Sequence, residues 1–445
     1  MTLVSALRRR WFGWDRLGRD VLLFCLGFAL LRFWALAGRS PVRWPDSNSY
    51  FYVDFFGHAA GGRLWTVPVL YTTLPSDAAR VAAQGLIGIL CWSALAFAVA
   101  RSLAHPVVAR IGAIAILLLG LCIQVTEWDQ TLLSESLAVS LGALLAAALL
   151  RTRLRRTWPV ICATLVVLVL WMFARQVQVL VFLPVGVVTI GWMLLRARRY
   201  IAVAVALALI GVWGGYAAAQ DKGNLEFGAH DILIFRILQT ADGPAFIARS
   251  GMPDVPQLEK EASTYASAGT YLGGASKVYK DPRWQQWIDR HWSRLYLKWL
   301  IHHPVADIRE PLSYANQLLS GFPNYASIRP VLPSTVQDLL WERASGDIPL
   351  WFGVTAVAWI ASLRKRRPHS LDALAAGGIV ISMFWYLAAW LLEPSELARL
   401  VIPAATMLRI SLLLLLFTAI DRLVTTDDSG HPLGIPAETS TPSSS

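Results

Sequence analysis

Ten apolar runs divide this sequence, near 20–38, 81–100, 107–125, 132–150, 158–174, 177–195, 200–219, 348–363, 372–392 and 400–420. Each approaches the roughly 17–25 residues that a bilayer crossing needs. Lipid offers the backbone no hydrogen-bond partner, so such runs must satisfy their own groups as helices. The composition agrees: 56% of the 445 residues are hydrophobic and 16% are charged. That leaves too little charged surface to cover so large an apolar core in water. The expected fold is an all-α polytopic membrane protein with about ten transmembrane helices.

Basic residues set the expected orientation. One set of connections carries Arg8–Arg10, Arg101, Arg110, Arg151, Arg153, Arg155, Arg156, Arg196, Arg198, Arg199 and Arg364–Arg367. The alternate short connections are nearly free of them: 126–131 has none and Arg175 stands alone. The positive-inside rule then makes both termini cytoplasmic. It also explains the net charge of +11 without a nucleic-acid partner. Arg8–Arg10 precede the first run, but no small-residue cleavage site follows it, so the first span is expected to stay. Cys25, Cys91, Cys122 and Cys162 fall in or beside apolar runs and lack metal-ligand spacing, as buried thiols do.

The expected organisation is a membrane domain over 1–219, including the first outer loop 38–80. An α-rich extracytoplasmic domain over 220–347 lies between the seventh and eighth spans. Three further spans occupy 348–422, and a Ser/Thr/Pro-rich cytoplasmic tail, 423–445, has the composition of a disordered end.

The outer face gathers the candidate chemistry. After the first run come Pro41, Pro45 and Asp46. A carboxylate there is poorly solvated on one side and suits a general base or an oxygen ligand to Mg or Mn. It equally suits an N-cap for an interfacial helix over 47–60 with Tyr50, Phe51, Phe55 and Phe56 on the membrane surface. Asp54 lies further along the loop. Glu127, Thr131 and Glu135 recur at i, i+4, i+8, which predicts one helical face bearing acids, with Asp129 beside it. Ionisable groups at that depth usually face a cavity or a partner. Arg175 and Arg399 stand at an outer boundary against the positive-inside bias. Arg399 has three open explanations: snorkelling to lipid, pairing with Glu396 at i, i+3, or a forked contact to a phosphate. In the outer segment Trp284, Trp287, Trp292 and Trp299 alternate with charges, the pattern of an amphipathic helix with its rings at headgroup level. Adjacent His302 and His303 diverge by about 100° on a helix and make a poor chelate. There is no Walker A loop, GxGxxG, CxxC or HExxH.

These residues carry a resemblance. Asp46 after the first span, acids before the fourth, and Glu396-x-x-Arg399-x-x-x-Pro403 at the last resemble the GT-C glycosyltransferases. That superfamily includes protein O-mannosyltransferases and the lipid A aminoarabinose transferase. Arg309-Glu310-Pro311 resembles an interfacial helix of those proteins. The chain differs in having Ser47 after Asp46 and Leu400 after Arg399. The resemblance implies inverting transfer from a polyprenyl-phosphate sugar to an envelope glycan, lipid or protein acceptor at a bacterial cytoplasmic membrane. Asp46 would be the catalytic carboxylate and Arg399, with Arg175, would hold the donor phosphate. Asp54, Glu127, Asp129, Glu135 and Glu396 would bind the acceptor or a divalent cation. The rivals are an O-antigen-type polymerase or ligase, which leans on loop arginines, and a transporter, which favours broken helices and internal repeats; the runs here read as clean.

Overall fold

The computed structural model describes residues 16–56, 63–196, 200–220, 222–268, 281–320, 328–341, 347–364, 370–392 and 397–425. In chain order α1 is Arg16–Leu36, followed by a 3-10 helix over Pro45–Phe51 and two short strands, β1 Val53–Asp54 and β2 Arg63–Leu64. Next come α2 Thr66–Thr73, α3 Asp77–Ser102, α4 Pro106–Leu121, α5 Ile123–Gln130, α6 Glu135–Leu154, α7 Trp158–Met172, α8 Gln176–Arg196 and α9 Ile201–Gln220. The segment after α9 folds as α10 Lys222–Phe235, α11 Gly243–Ala248, α12 Val255–Ala268, α13 Pro282–His302, α14 Pro304–Ser320 and α15 Ser334–Leu340. The chain returns through α16 Asp347–Leu363, α17 Ser370–Leu392, the single turn α18 Leu397–Leu400, and α19 Ile402–Thr425.

All ten apolar runs lie on helices. Among the described residues six, α3, α6, α8, α9, α17 and α19, are long and apolar enough to cross a membrane, and α4 with α5 makes a seventh if the bent pair is one span. The protein is therefore a helical, multi-pass membrane protein. α1 carries Arg16, Arg19, Asp20 and Arg32, too many charges for a plain span. α7, at 15 residues, reaches about 22 Å, short of the roughly 30 Å hydrocarbon thickness. α19 is the central post, with 89% of its apolar window buried.

The third run is not one clean span. α4 and α5 meet at a 50° bend, because Cys122 leaves the helical region at ψ 140°. The cause lies on another helix. Arg32 of α1, fully buried, donates from Nη1 to Gly120 O at 2.7 Å and from Nε to Asp129 Oδ2 at 2.8 Å. Asp129 also accepts from Ser136 Oγ at 2.7 Å. The break is filled by protein rather than cavity: Gln337 Oε1 accepts from Ile123 N at 3.1 Å. α5 then stops at Thr131, which is extended and bridges to Val42 of the first loop. Glu127 and Glu135 consequently belong to two helices, not to the single face expected from their spacing.

The helix ends sort into two sets. At one, Asp20 pairs with Arg110 at 2.7 Å and Asp421 accepts from the amides of Ala104 and His105, so the beginning of α1 and the end of α19 share the end that carries the α3–α4 turn. At the other, the first loop meets the α5–α6 break and the α7–α8 turn. Two apolar cores result. The larger fills the bundle and includes Leu319, Leu340 and Trp341, where Arg409 of α19 donates to Leu319 O and Leu340 O, both at 3.0 Å. The smaller joins α10 to α13 outside the bundle. The tryptophan expectation is reversed here: Trp284, Trp287, Trp292 and Trp299 are buried in that core, not displayed at a surface. Their spacing is that of a core face, and the opposite face of α13 is the exposed one.

Candidate functional site

The first loop builds one wall. Gly38, at φ +70°, and Pro41 end α1, and the loop then turns into the 3-10 helix. Trp44, not Asp46, is the N-cap, and its amide donates to Ser47 Oγ at 2.8 Å. Of the interfacial α-helix expected over 47–60, residues 57–60 lie outside the described residues, and up to 56 its place is taken by this 3-10 turn and by β1, which pairs in parallel with β2. The short sheet returns Arg63 to the neighbourhood of Asp46. Phe55 and Phe56 are exposed as expected, but Tyr50 is buried and donates to Ser134 Oγ at 3.1 Å. Burial pushes the Tyr50 phenol above its ordinary range, with Arg63 opposing and Glu135 and Asp46 adding to the shift. It is a neutral hydroxyl donor at physiological pH.

Around this wall two carboxylates meet three arginines. Arg399 Nη1 donates to Asp46 Oδ2 at 3.0 Å, and its Nε lies 3.3 Å from Glu135 Oε1. Arg175 Nη1 is 3.1 Å from the same Glu135 oxygen. Arg63 Nη2 lies 3.6 Å from Asp46 Oδ2, and its Nε donates to Ser49 Oγ at 3.0 Å. Residues 353 positions apart are thus in contact. Glu135 opens α6, Arg175 sits in the α7–α8 turn, and Arg399 lies in the single turn before α19, so the site is assembled from helix ends at one end of the bundle. Asp46 is partly open, its side chain 24% exposed, whereas Glu135 is closed at 1%. Neither carboxylate oxygen of Glu135 has a hydrogen bond.

A cavity of about 50 Å³ opens here, lined by Tyr50, Arg63, Arg175, Gln176 and Arg399. By a comparable measure one water needs about 10–15 Å³. A far larger apolar groove of about 410 Å³ lies between α6, α7, α8, α9, α17 and α19 and shares no lining residue with it. Trp171, one turn before Arg175, lines the groove near the site, and Thr152 and Met193 line it towards the other end of their helices.

Of the residues singled out by sequence, Asp46, Glu135, Arg175 and Arg399 converge. Asp129 does not: it is spent on Arg32 and Ser136. Glu127 is buried in α5 and lines neither cavity. Asp54 lies on β1 and accepts from Phe56 N at 2.8 Å, and it does not line the cavity, although its strand partner Leu64 does. Glu396 falls outside the described residues. Sequence reasoning missed Arg63, Tyr50 as a wall residue, and Gln176. Only the loop's return through β2, invisible to helix periodicity, brings Arg63 in.

The donor set does not suit Mg or Mn. Asp46 and Glu135 are bridged by Arg399, and among the described residues three arginines meet these two acids. Such a site repels a divalent cation and attracts an anion. No family model matches the chain, and no curated protein matches it.

Proposed function

We propose that the protein is an integral-membrane glycosyltransferase. It moves a sugar from a polyprenyl-phosphate donor to a cell-envelope glycan, lipid or protein acceptor, at the outer face of a bacterial cytoplasmic membrane. The observation that carries this reading is the contact of Asp46 with Arg399 at 3.0 Å, beside Glu135, Arg175 and Arg63, in a bundle that also holds an apolar groove. A phosphate-bearing prenyl lipid has the matching halves: an anion for the arginines and a hydrocarbon chain for the groove.

The topology belongs to the same proposal. We take all ten apolar helices as spans, with the short ones tilted little and α1 carrying its Arg32 inward. The end shared by the beginning of α1 and the end of α19 holds Arg101, Arg110, Arg151 and Arg364. It is therefore the cytoplasmic end, with both termini there, and the site faces outward.

In the mechanism the donor phosphate competes for Arg399 and draws it from Asp46. Asp46, partly open to water, then takes the proton of an acceptor hydroxyl. The oxygen attacks the sugar's anomeric carbon from the face opposite the phosphate. The bond from that carbon to the phosphate oxygen breaks, and its electron pair leaves with the polyprenyl phosphate. Arg399, Arg175 and Arg63 meet the charge that develops on it. Glu135, with acceptor capacity to spare, takes hydrogen bonds from sugar hydroxyls. No step requires a metal ion.

A transporter is the second reading, favoured by the bend between α4 and α5, since broken helices mark transport sites. The break here is plugged by Arg32 and Gln337, and neither cavity reaches it. Two measurements separate the readings. Membranes containing the protein should transfer labelled sugar from a polyprenyl-phosphate donor to an endogenous acceptor, and deletion should remove one sugar from the envelope glycans by mass spectrometry. An unchanged glycan profile with an altered pool of lipid-linked sugar would favour transport.

A further inference from the structure

We infer that the exposed face of α13 docks on the anionic phospholipid headgroups of the leaflet that borders the site. The buried face of α13 is occupied by its tryptophans, so the question is what the other face meets. Arg290, Arg294, Leu297 and Ile301 follow each other at i, i+4, i+7 and i+11, which makes one ridge. Lys298 flanks it. All five are exposed, the two aliphatics to 58% and 65%. The ridge is graded: arginines towards the N-terminus, branched aliphatics towards the C-terminus, its two ends about 16 Å apart at 1.5 Å per residue.

Its height is fixed by three contacts to the last turn of α17. Tyr296, between Leu295 and Leu297, donates to Leu391 O at 2.6 Å. Arg236 donates to Trp390 O. Tyr314 of the following helix stacks on Trp390, ring centres 5.8 Å apart. The end of an apolar span is the depth at which hydrocarbon gives way to headgroups. Leu297 and Ile301 therefore stand where lipid, not bulk water, is the neighbour. Leu312 of α14, 52% exposed, extends the apolar patch at the same level. An aliphatic end dipping into the acyl boundary with guanidinium groups among phosphates is the arrangement of a surface-lying amphipathic helix. Cations near such a surface add attraction to anionic lipid, roughly fivefold in the docking equilibrium for each one. The inference is independent of the reaction at Asp46.

The test uses the full chain in nanodiscs of phosphatidylcholine with or without phosphatidylglycerol. Spin labels are placed singly at Leu297→Cys, Ile301→Cys and Gln286→Cys in a Cys162→Ser background, because Cys162 is the exposed native cysteine among the four. With phosphatidylglycerol present, labels at 297 and 301 should relax more with oxygen than with a water-soluble nickel complex, and the label at 286 should do the reverse. Replacing the anionic lipid by phosphatidylcholine, which needs no further variant, should raise nickel accessibility at 297 and 301 several-fold. The Arg290→Gln/Arg294→Gln/Lys298→Gln variant should show that raised accessibility in both lipids. Water-like relaxation at 297 and 301 in both lipids would overturn the inference, as would lipid-like relaxation indifferent to lipid charge. Spin–spin broadening between labels at 297 would overturn it in favour of a second copy of the chain.

Discussion

Asp46→Asn and Glu135→Gln should separate chemistry from scaffolding, because the two carboxylates share Arg399 but differ in burial. Asp46 is 24% exposed and Glu135 1%. Neutralising Asp46 leaves Arg399 its contact with Glu135 at 3.3 Å, so no buried charge is stranded. Partly exposed pairs contribute about 0.2–1 kcal/mol, and Asp46→Asn should cost no more than that. Neutralising Glu135 leaves Arg175 without its 3.1 Å partner in a nearly closed site. Breaking a buried pair from one side costs about 3–5 kcal/mol. The activities should rank the other way for their stability: loss of a general base lowers transfer by roughly 10²–10⁴-fold. The assay pairs thermal unfolding in matched nanodiscs with transfer of radiolabelled sugar from a polyprenyl-phosphate donor, normalised to folded protein. Asp46→Asn should melt within a few degrees of the parent and transfer almost nothing. Transfer within about threefold of the parent would remove Asp46 from the chemistry. Destabilisation equal to that of Glu135→Gln would make it a strut.

Three further outcomes are expected. Asp129→Asn should destabilise the bundle by about 3–5 kcal/mol by stranding the buried Arg32, and Arg32→Met/Asp129→Leu should melt above either single change; a neutral Asp129→Asn would mean the pair is not sealed. In the outer core, His230 Nε2 is 3.3 Å from Glu261 Oε2; burial opposes its charge, but Asp231 and Glu261 outweigh it and raise its pKa. Its contribution is therefore full below the unfolded value near 6.5 and lost as pH rises through the folded one, so hydrogen exchange in 228–262 should quicken above that point, and His230→Gln should flatten the profile. Tyr296→Phe removes the donor to Leu391 O and the acceptor of Arg236, costing about 1 kcal/mol, and exchange at the last turn of α17 should rise while α19 is unchanged.

The helices were legible because the bilayer leaves a backbone few alternatives, and a run of the right length states its own conformation. The break after Gly120 was not, because its cause, Arg32, stands 88 residues away and reads locally as an odd charge in α1. The face of α13 was misjudged for a related reason. A helix with tryptophans at 284, 287, 292 and 299 has two faces, and spacing alone does not tell which one a neighbouring helix will cover. Asp46 and Arg399 were singled out by their place at span boundaries and by a family resemblance, and they do meet. Arg63 was passed over because a two-residue sheet, too short to leave a periodic trace, is what folds it back.

Two of the ion-pair systems in this bundle contrast in a way that bears on where the proposed chemistry would reside. Arg32 and Asp129 form a buried system: the guanidinium meets a carboxylate and a carbonyl with Nη2 left over, the carboxylate also holds a serine, and neither cavity described above touches either residue. Buried charge so matched is structural; it seals a bend. The system at Asp46, Glu135, Arg63, Arg175 and Arg399 is built from the same residue types and left open. One carboxylate is part-exposed, the other has both oxygens without a hydrogen bond, positive groups outnumber negative ones among the described residues, and a cavity lies against the three arginines. On the function proposed above, a sugar phosphate would bring both negative charge for these arginines and hydroxyl donors for Glu135.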